Sequence, residues 1–251
     1  MLEVQIATAK VNKYASRESG DTLEIVEKPG MAGGFTAILV DGQGSGRAAK
    51  AISNLVAGKC LSLIKDGARD GVAARAASDY LYSLRYGQVS ATLNILSADF
   101  ATNTMVITCN NPIPAYVVRP SEKTASELVT LKLEVTPIGI YPRTRPHIYE
   151  YPLEPGWWAF AFTDGITGAG SRYNKSIDLP TVITNLISQE DANAQSCADA
   201  LLELAISYDQ RRPADDMSVV VMAVKNGSGE DGDSIPRRIS MNIPYLPVIG
   251  S

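Results

Sequence analysis

An α+β fold of the layered type, with helices packed outside antiparallel sheets, is the class this sequence predicts. Three observations carry the prediction: an early pair of long segments with helical periodicity, a central succession of short strand-like runs, and a second helical pair followed by one β-branched apolar run. Size and composition agree. The 251 residues suit one large domain with at most a small appendage, and 45% apolar with 20% charged side chains is the balance of an ordinary globular protein.

Leu2 to Thr8 alternates apolar and polar residues, as a half-buried strand does. Phe35 to Val40 is an apolar run that stops at Asp41-Gly42-Gln43-Gly44-Ser45-Gly46, a strand entering a tight glycine turn. The period then becomes helical at Ala48, Ala49, Ile52, Leu55, Val56, Leu61 and Ile64. It does so again after Asp70, at Val72, Ala73, Ala76, Ala77, Tyr80, Leu81 and Leu84. From Gln88 to Phe162 short strands are predicted at Ser90 to Leu96, Thr104 to Cys109, Ala115 to Val118, Leu128 to Leu133, Ile148 to Tyr151 and Trp157 to Phe162, separated by Asn, Pro and Gly turns. Helical spacing returns from Leu179 to Ser188 and from Cys197 to Tyr208, and Met217 to Val224 reads as a buried strand. Residues 1–224 are therefore expected to form the domain. Residues 225–234 hold no apolar side chain and read as a flexible linker. In the tail, 235–251, Ile239, Met241 and Ile243 alternate as an edge strand would, although an unstructured terminus fits equally well.

Charge and motif arguments exclude several functions. With 23 basic against 27 acidic side chains the net charge is −4, and the basic residues form no stripe, so no nucleic-acid partner is expected. Met1 to Lys10 lacks a basic leader, and Gly156 to Phe162, the densest apolar stretch, is too short to span a bilayer; no membrane association and a cytoplasmic location are expected. Cys60, Cys109 and Cys197 are widely spaced in apolar patterns, which favours reduced, buried thiols. The arginine that a cysteine-phosphatase loop needs six residues after its nucleophile is replaced by Asp66, Ala115 and Glu203. His147 stands alone and reads as structural or exposed.

Four acidic signatures lie far apart, each at the edge of an apolar run: Gly20-Asp21, Asp41-Gly42, Asp164-Gly165 and Asp215-Asp216. Taken singly, each is an ordinary turn dipeptide or helix cap. Taken together, carboxylates at strand ends are what two hard divalent cations require around a phosphate. The glycine loop does not cradle a phosphate by itself. Its glycines at 42, 44 and 46 fit neither the P-loop nor the dinucleotide pattern, and Asp41 at its mouth repels an anion unless a cation intervenes.

Gly20-Asp21, FTAILVDGQGSG at 35–46, ITCNNPIPAY at 107–116, Pro137-Ile138-Gly139-Ile140, PGWWAFAFTDGITGA at 155–169 and PADDMSVV at 213–220 resemble, in order, the motifs of the metal-dependent serine/threonine protein phosphatases of the type-2C group, specifically their bacterial SpoIIE-like branch. The resemblance implies a four-layer α-β-β-α sandwich, two antiparallel sheets flanked by helix pairs, with two Mn²⁺ or Mg²⁺ ions in a cleft at one end. It casts Asp41 as the carboxylate bridging both metals and the Gly42 carbonyl as a further ligand. Asp164 and Asp215 become ligands of the second metal, Asp216 its support, and Asp21 a ligand of the first, directly or through water. The implied reaction is in-line attack on phosphoserine or phosphothreonine by a water that both cations acidify, without a phosphoenzyme. The implied partner is a phosphoprotein, in this branch a small anti-anti-sigma (STAS-type) regulator.

The sequence departs from the wider group at three places. Gln43 stands where the eukaryotic branch has a histidine suited to protonating the leaving alkoxide, which predicts modest turnover. Arg17 lies near the phosphate-binding arginine of that branch with a spacing that does not match cleanly. Asn110-Asn111-Pro112 replaces Gly-His-Pro of the SpoIIE-like branch. Two other readings stand beside the phosphatase: a catalytically weak partner-binding module of the same fold, and a two-metal hydrolase of small phosphate esters.

Overall fold

Ten strands and five helices follow one another in this computed structural model, which describes residues 1–31, 33–121, 125–131, 134–227, 237–238 and 241–243. In chain order they are β1 (Leu2–Val11), β2 (Asp21–Glu27), β3 (Gly34–Gly42), α1 (Gly46–Lys65), α2 (Asp70–Arg85), β4 (Ala91–Asp99), β5 (Thr104–Asn110), β6 (Ala115–Ser121), β7 (Ala125–Leu131), β8 (His147–Pro152), β9 (Trp158–Phe162), α3 (Asp164–Thr167), α4 (Leu179–Ile187), α5 (Ala194–Tyr208) and β10 (Met217–Asn226). The strands make two five-stranded antiparallel sheets, ordered β1-β10-β9-β6-β7 and β2-β3-β4-β5-β8. Helices α1 and α2 cover the second sheet, and α4 and α5 cover the first, so the predicted α-β-β-α sandwich is the observed architecture.

The apolar strands are continuous rather than alternating because both of their faces are covered. In β3, Ala37 and Leu39 point into the space between the sheets, while Ile38 and Val40 meet Ile52, Val56, Cys60 and Leu81 from the first helix pair. In β10, Val220, Met222 and Val224 face the opposing sheet, and Val219, Val221 and Ala223 pack with Ile183, Cys197, Leu201 and Ala205 of the second helix pair. Burying so many aliphatic side chains, at roughly 1.5–3 kcal/mol each, provides the main stabilisation. The three cysteines are free and buried, and burial pushes the Cys60 and Cys109 thiols up to about 12, so neither is a nucleophile at neutral pH.

Two elements leave little trace in the sequence. Strand β2 carries Glu24 and Glu27 among its apolar residues and leaves Ile25 exposed, which an edge strand tolerates and which blurs the alternation. Helix α3 has four residues, too few to display a period. Strand β10 runs to Asn226, two residues into the expected linker; the linker beyond Gly227 and most of the tail, including Ile239, lie outside the described residues. Arg237 is placed against the second sheet, where its guanidinium pairs with Glu27 and lies 5.8 Å from the Phe35 ring centroid. Among the described residues no helix is long and apolar enough to cross a membrane.

Candidate metal centre

The register of the second sheet sets the centre. Strands β2 and β3 pair so that Asp21 lies directly opposite Asp41, at the strand end where the chain turns through Gly42 into α1. From the other sheet, β9 ends at Phe162 and delivers Thr163 and Asp164, while β10 begins at Met217 immediately after Asp215 and Asp216. Thr163 N–H donates to the Ser218 carbonyl (3.1 Å), holding these two ends together. All four acidic signatures therefore meet at one end of the sandwich.

Side-chain hydrogen bonds lock the two sheets to each other at this point. Asp21 is 1% exposed, and its Oδ2 accepts from Ser218 Oγ (2.6 Å) and Thr163 Oγ1 (3.0 Å). Asp216, also buried, accepts the Gly20 N–H on Oδ2 and the Lys13 N–H on Oδ1, both at 2.8 Å. Charge-assisted bonds of this kind are shorter and stronger than neutral ones. They give Asp216 a positioning role, since both of its oxygens already hold backbone. Asp41, Asp164 and Asp215 are the more open members: Asp41 and Asp215 are half-buried, and Asp164 is exposed at the rim.

Two glycines permit the approach. A Cβ on Gly42 would lie 2.2 Å from the Ala49 carbonyl oxygen of α1, and one on Gly165 would lie 2.1 Å from the Asp216 carbonyl oxygen. The Asp-Gly pairs are thus dictated by backbone contact as well as by the carboxylates.

The electrostatics show what the pocket lacks. Burial, followed by repulsion from Asp21, Asp164, Asp215 and Asp216, pushes the Asp41 carboxyl up to about 8. Asp21 rises to about 6, mainly through burial and against the pull of its two hydroxyl donors. Asp164 is raised by partial desolvation and by Asp215. Compensating cations are close by: Lys10 Nζ and Lys50 Nζ donate to the Asp21 carbonyl at 3.1 and 2.7 Å, Lys50 also reaches Thr22 Oγ1 at 2.9 Å, and Lys13 lies 3.9 Å from Asp215. Partial burial and then Lys50 lower the Lys10 ammonium. Among the described residues, no group of three or more Asp, Glu, His or Cys side chains is placed to hold a metal ion. The donor set is nevertheless one of hard carboxylate oxygens whose charges repel one another, which fits Mg²⁺ or Mn²⁺ and would suit a thiophilic ion poorly.

Other predicted residues lie elsewhere. Arg17 is exposed in the β1–β2 connection, and among the described residues it makes no hydrogen bond or ion pair. Gln43 turns to β4, where its Oε1 accepts from Ser90 N–H at 2.8 Å. His147 is exposed at the start of β8. Sequence reasoning missed Thr163 and Ser218, although both stand inside the quoted motifs; the available signal was a hydroxyl interrupting an apolar run, which must find a partner once buried. It also missed Lys10 and Lys50, and Asp209, which at the end of α5 accepts Gly170 N–H (2.8 Å) and Ala214 N–H (2.6 Å) and so fixes the loop that carries Asp215. Asn111 is buried; its Oδ1 accepts the Ile113 N–H at 2.9 Å and its Nδ2 donates to the Phe162 carbonyl at 3.0 Å, anchoring the end of β9.

Solved structures with this fold include a PP2C phosphatase domain and other serine/threonine phosphatases. The PP2C phosphatase domain of the cell fate determinant SpoIIE from Bacillus subtilis, solved with a fragment of its regulatory domain, superposes with a TM-score of 0.74 at 21% identity over 91% of this chain; the chain spans 65% of that one. The catalytic domain of the serine/threonine protein phosphatase PstP, in complex with two manganese ions, gives 0.66 at 17% identity over 90% of this chain and 100% of that one. RsbX in complex with magnesium gives 0.64 at 14% identity over 90% of this chain and 99% of that one. The sequence matches no curated protein at a significant level. The family model for stage II sporulation protein E (SpoIIE) matches residues 32–225, and the chain belongs to that family.

Proposed function

We propose that the chain is a divalent-cation-dependent protein phosphatase acting on phosphoserine or phosphothreonine. The observation that carries this reading is the convergence of Asp21, Asp41, Asp164 and Asp215 from two sheets at one end of the sandwich, with the Asp41 carboxyl raised to about 8 by burial and like charge. Kinship with the SpoIIE family and the cations bound to PstP and RsbX support it. Asp41, Asp164 and Asp215, with the Gly42 carbonyl, are the groups proposed to hold two cations, Mn²⁺ or Mg²⁺. Asp21 and Asp216 hold the two sheets at the spacing this requires. Bound there, the cations would supply an acidified water for in-line attack and neutralise the phosphoryl charge. Lys10 and Lys50 fix the Asp21 backbone, and Lys13 offsets Asp215. The one histidine of the chain stands three strands away from β3, at the start of β8, so the leaving alkoxide takes its proton from solvent, which favours good leaving groups.

The substrate proposed is a small anti-anti-sigma-like (STAS-type) phosphoprotein, a reading that rests on family kinship alone. The test is hydrolysis by the Mn²⁺-loaded chain of phosphoserine peptides, a phosphorylated STAS-type protein and nucleotides. Faster cleavage of the phosphoproteins supports the reading. Faster cleavage of nucleotides would assign a small-ester hydrolase instead, and tight binding of the phosphoprotein without turnover would assign a binding module.

A further inference from the structure

The connection between β7 and β8 borders an open, polar depression of about 310 Å³, lined among others by Glu134, Thr136, Tyr141, Arg143, Arg145 and His147. The loop is firmly held. Ile138 exchanges two backbone hydrogen bonds with Ala91 (3.0 and 3.1 Å), and Arg143 N–H donates to Asp79 Oδ1 of α2 at 2.9 Å. Asn110 Nδ2 donates to the Arg145 carbonyl at 3.2 Å. Gly139, at φ +91°, sits where a Cβ would strike Leu81 at 2.5 Å. Both arginines are exposed, and among the described residues neither guanidinium forms an ion pair. Two guanidinium groups without an ion pair among the described residues and an imidazole, beside the carboxylates of Glu134 and Asp79, make a spot rich in hydrogen-bond donors.

Its position gives that spot a use. Ala91 pairs with Gly42 on one side and with Ile138 on the other. Two strand spacings, roughly 10 Å, therefore separate the end of β3 from the loop, and the arginines lie a few residues further on. We propose that this depression is a recognition subsite for carboxylate side chains of the phosphoprotein substrate, lying roughly three to five residues from the phosphoresidue at ~3.3 Å per extended residue. The inference rests on the phosphatase reading. Guanidinium groups are suited to it because their planar donor fork engages a carboxylate through two hydrogen bonds.

The test pairs phosphoserine peptides that carry Asp or Asn three to five residues from the phosphate, using the Mn²⁺-loaded full chain. The acidic peptide should show at least tenfold higher kcat/KM, expressed in KM. Substituting Arg143→Asn, which tolerates the left-handed φ of 60°, together with Arg145→Gln should erase that preference and leave p-nitrophenyl phosphate turnover unchanged. Fluorescence anisotropy with a labelled, unphosphorylated acidic peptide gives a readout independent of catalysis: its affinity should fall about tenfold in the double variant and weaken with added salt. An unchanged anisotropy titration in the double variant, or an equal loss of rate on both peptides, overturns the subsite. A chain inactive on every phosphoester but still discriminating by anisotropy overturns the phosphatase reading and leaves the acid-binding depression standing.

Discussion

At Asp41, four other carboxylates act on a half-buried acid with no cationic side chain among the causes of its shift. Converting it to a neutral isostere, Asp41→Asn, removes the repulsion and a proposed metal ligand together, so the two effects should separate. Hydrolysis of p-nitrophenyl phosphate with Mn²⁺ is expected to fall more than 100-fold, while the chelated protein melts several degrees higher than the parent. A variant that loses activity and also melts lower without cations would show that Asp41 holds the fold together. Ser218→Ala behaves differently, because it strips Asp21 of its 2.6 Å donor in a fully buried position. The expected cost is about 1–3 kcal/mol, read from a denaturant midpoint shift, together with a weaker apparent affinity for Mn²⁺. At this scale the carboxylates were legible because each stands beside a turn-forming residue at a strand end. Thr163, Ser218 and Asp209 were not: a hydroxyl interrupting an apolar run signals only that it needs a partner, a cap residue signals less, and the partner is recognised only once distant segments meet.

Among the elements, the strand-to-helix passage from β3 to α1 tolerates least change. The helix comes so close that its Ala49 carbonyl occupies the space a side chain at 42 would need. Gly42→Ala should therefore destabilise by more than about 2 kcal/mol through overpacking and displacement of α1, lowering the urea midpoint with an unchanged slope. An unaltered midpoint would mean that α1 moves aside at no cost. The helices α1, α2, α4 and α5 and the long strands were legible because burial on a helix stripe, or on both strand faces, writes a period or a continuous run into the sequence. Strand β2 was legible only as the apolar run beside Gly20-Asp21, because Glu24 and Glu27 occupy an edge where water replaces a covering layer, and α3 escaped because one turn has no period. The pairing of Asp21 with Asp41 was illegible for another reason: register follows from the whole β2–β3 ladder, which no local pattern specifies.

Across the whole molecule, the acidic pocket ties stability to pH in a direction opposite to the usual one for acids. Asp21 and Asp41 have folded values of about 6 and about 8, above the ordinary 3.8. The folded state therefore holds their protons more tightly than the unfolded chain, and the stability this contributes is complete below about pH 4 and lost as pH rises through 6 and then 8. Because the carboxylates repel one another, these two steps belong to the cluster and not to single residues. In the presence of a chelator, thermal scans at constant ionic strength should show the melting temperature falling between pH 5 and 8. Mn²⁺ takes the place of the protons and binds best where the carboxylates are ionised. The same scans with saturating Mn²⁺ should therefore lose the downward slope, with the largest cation-induced rise at pH 8. A melting temperature flat from pH 5 to 8 in chelator, or a cation effect equally large at pH 5, would mean that the five aspartates do not share one field at the end of the sandwich.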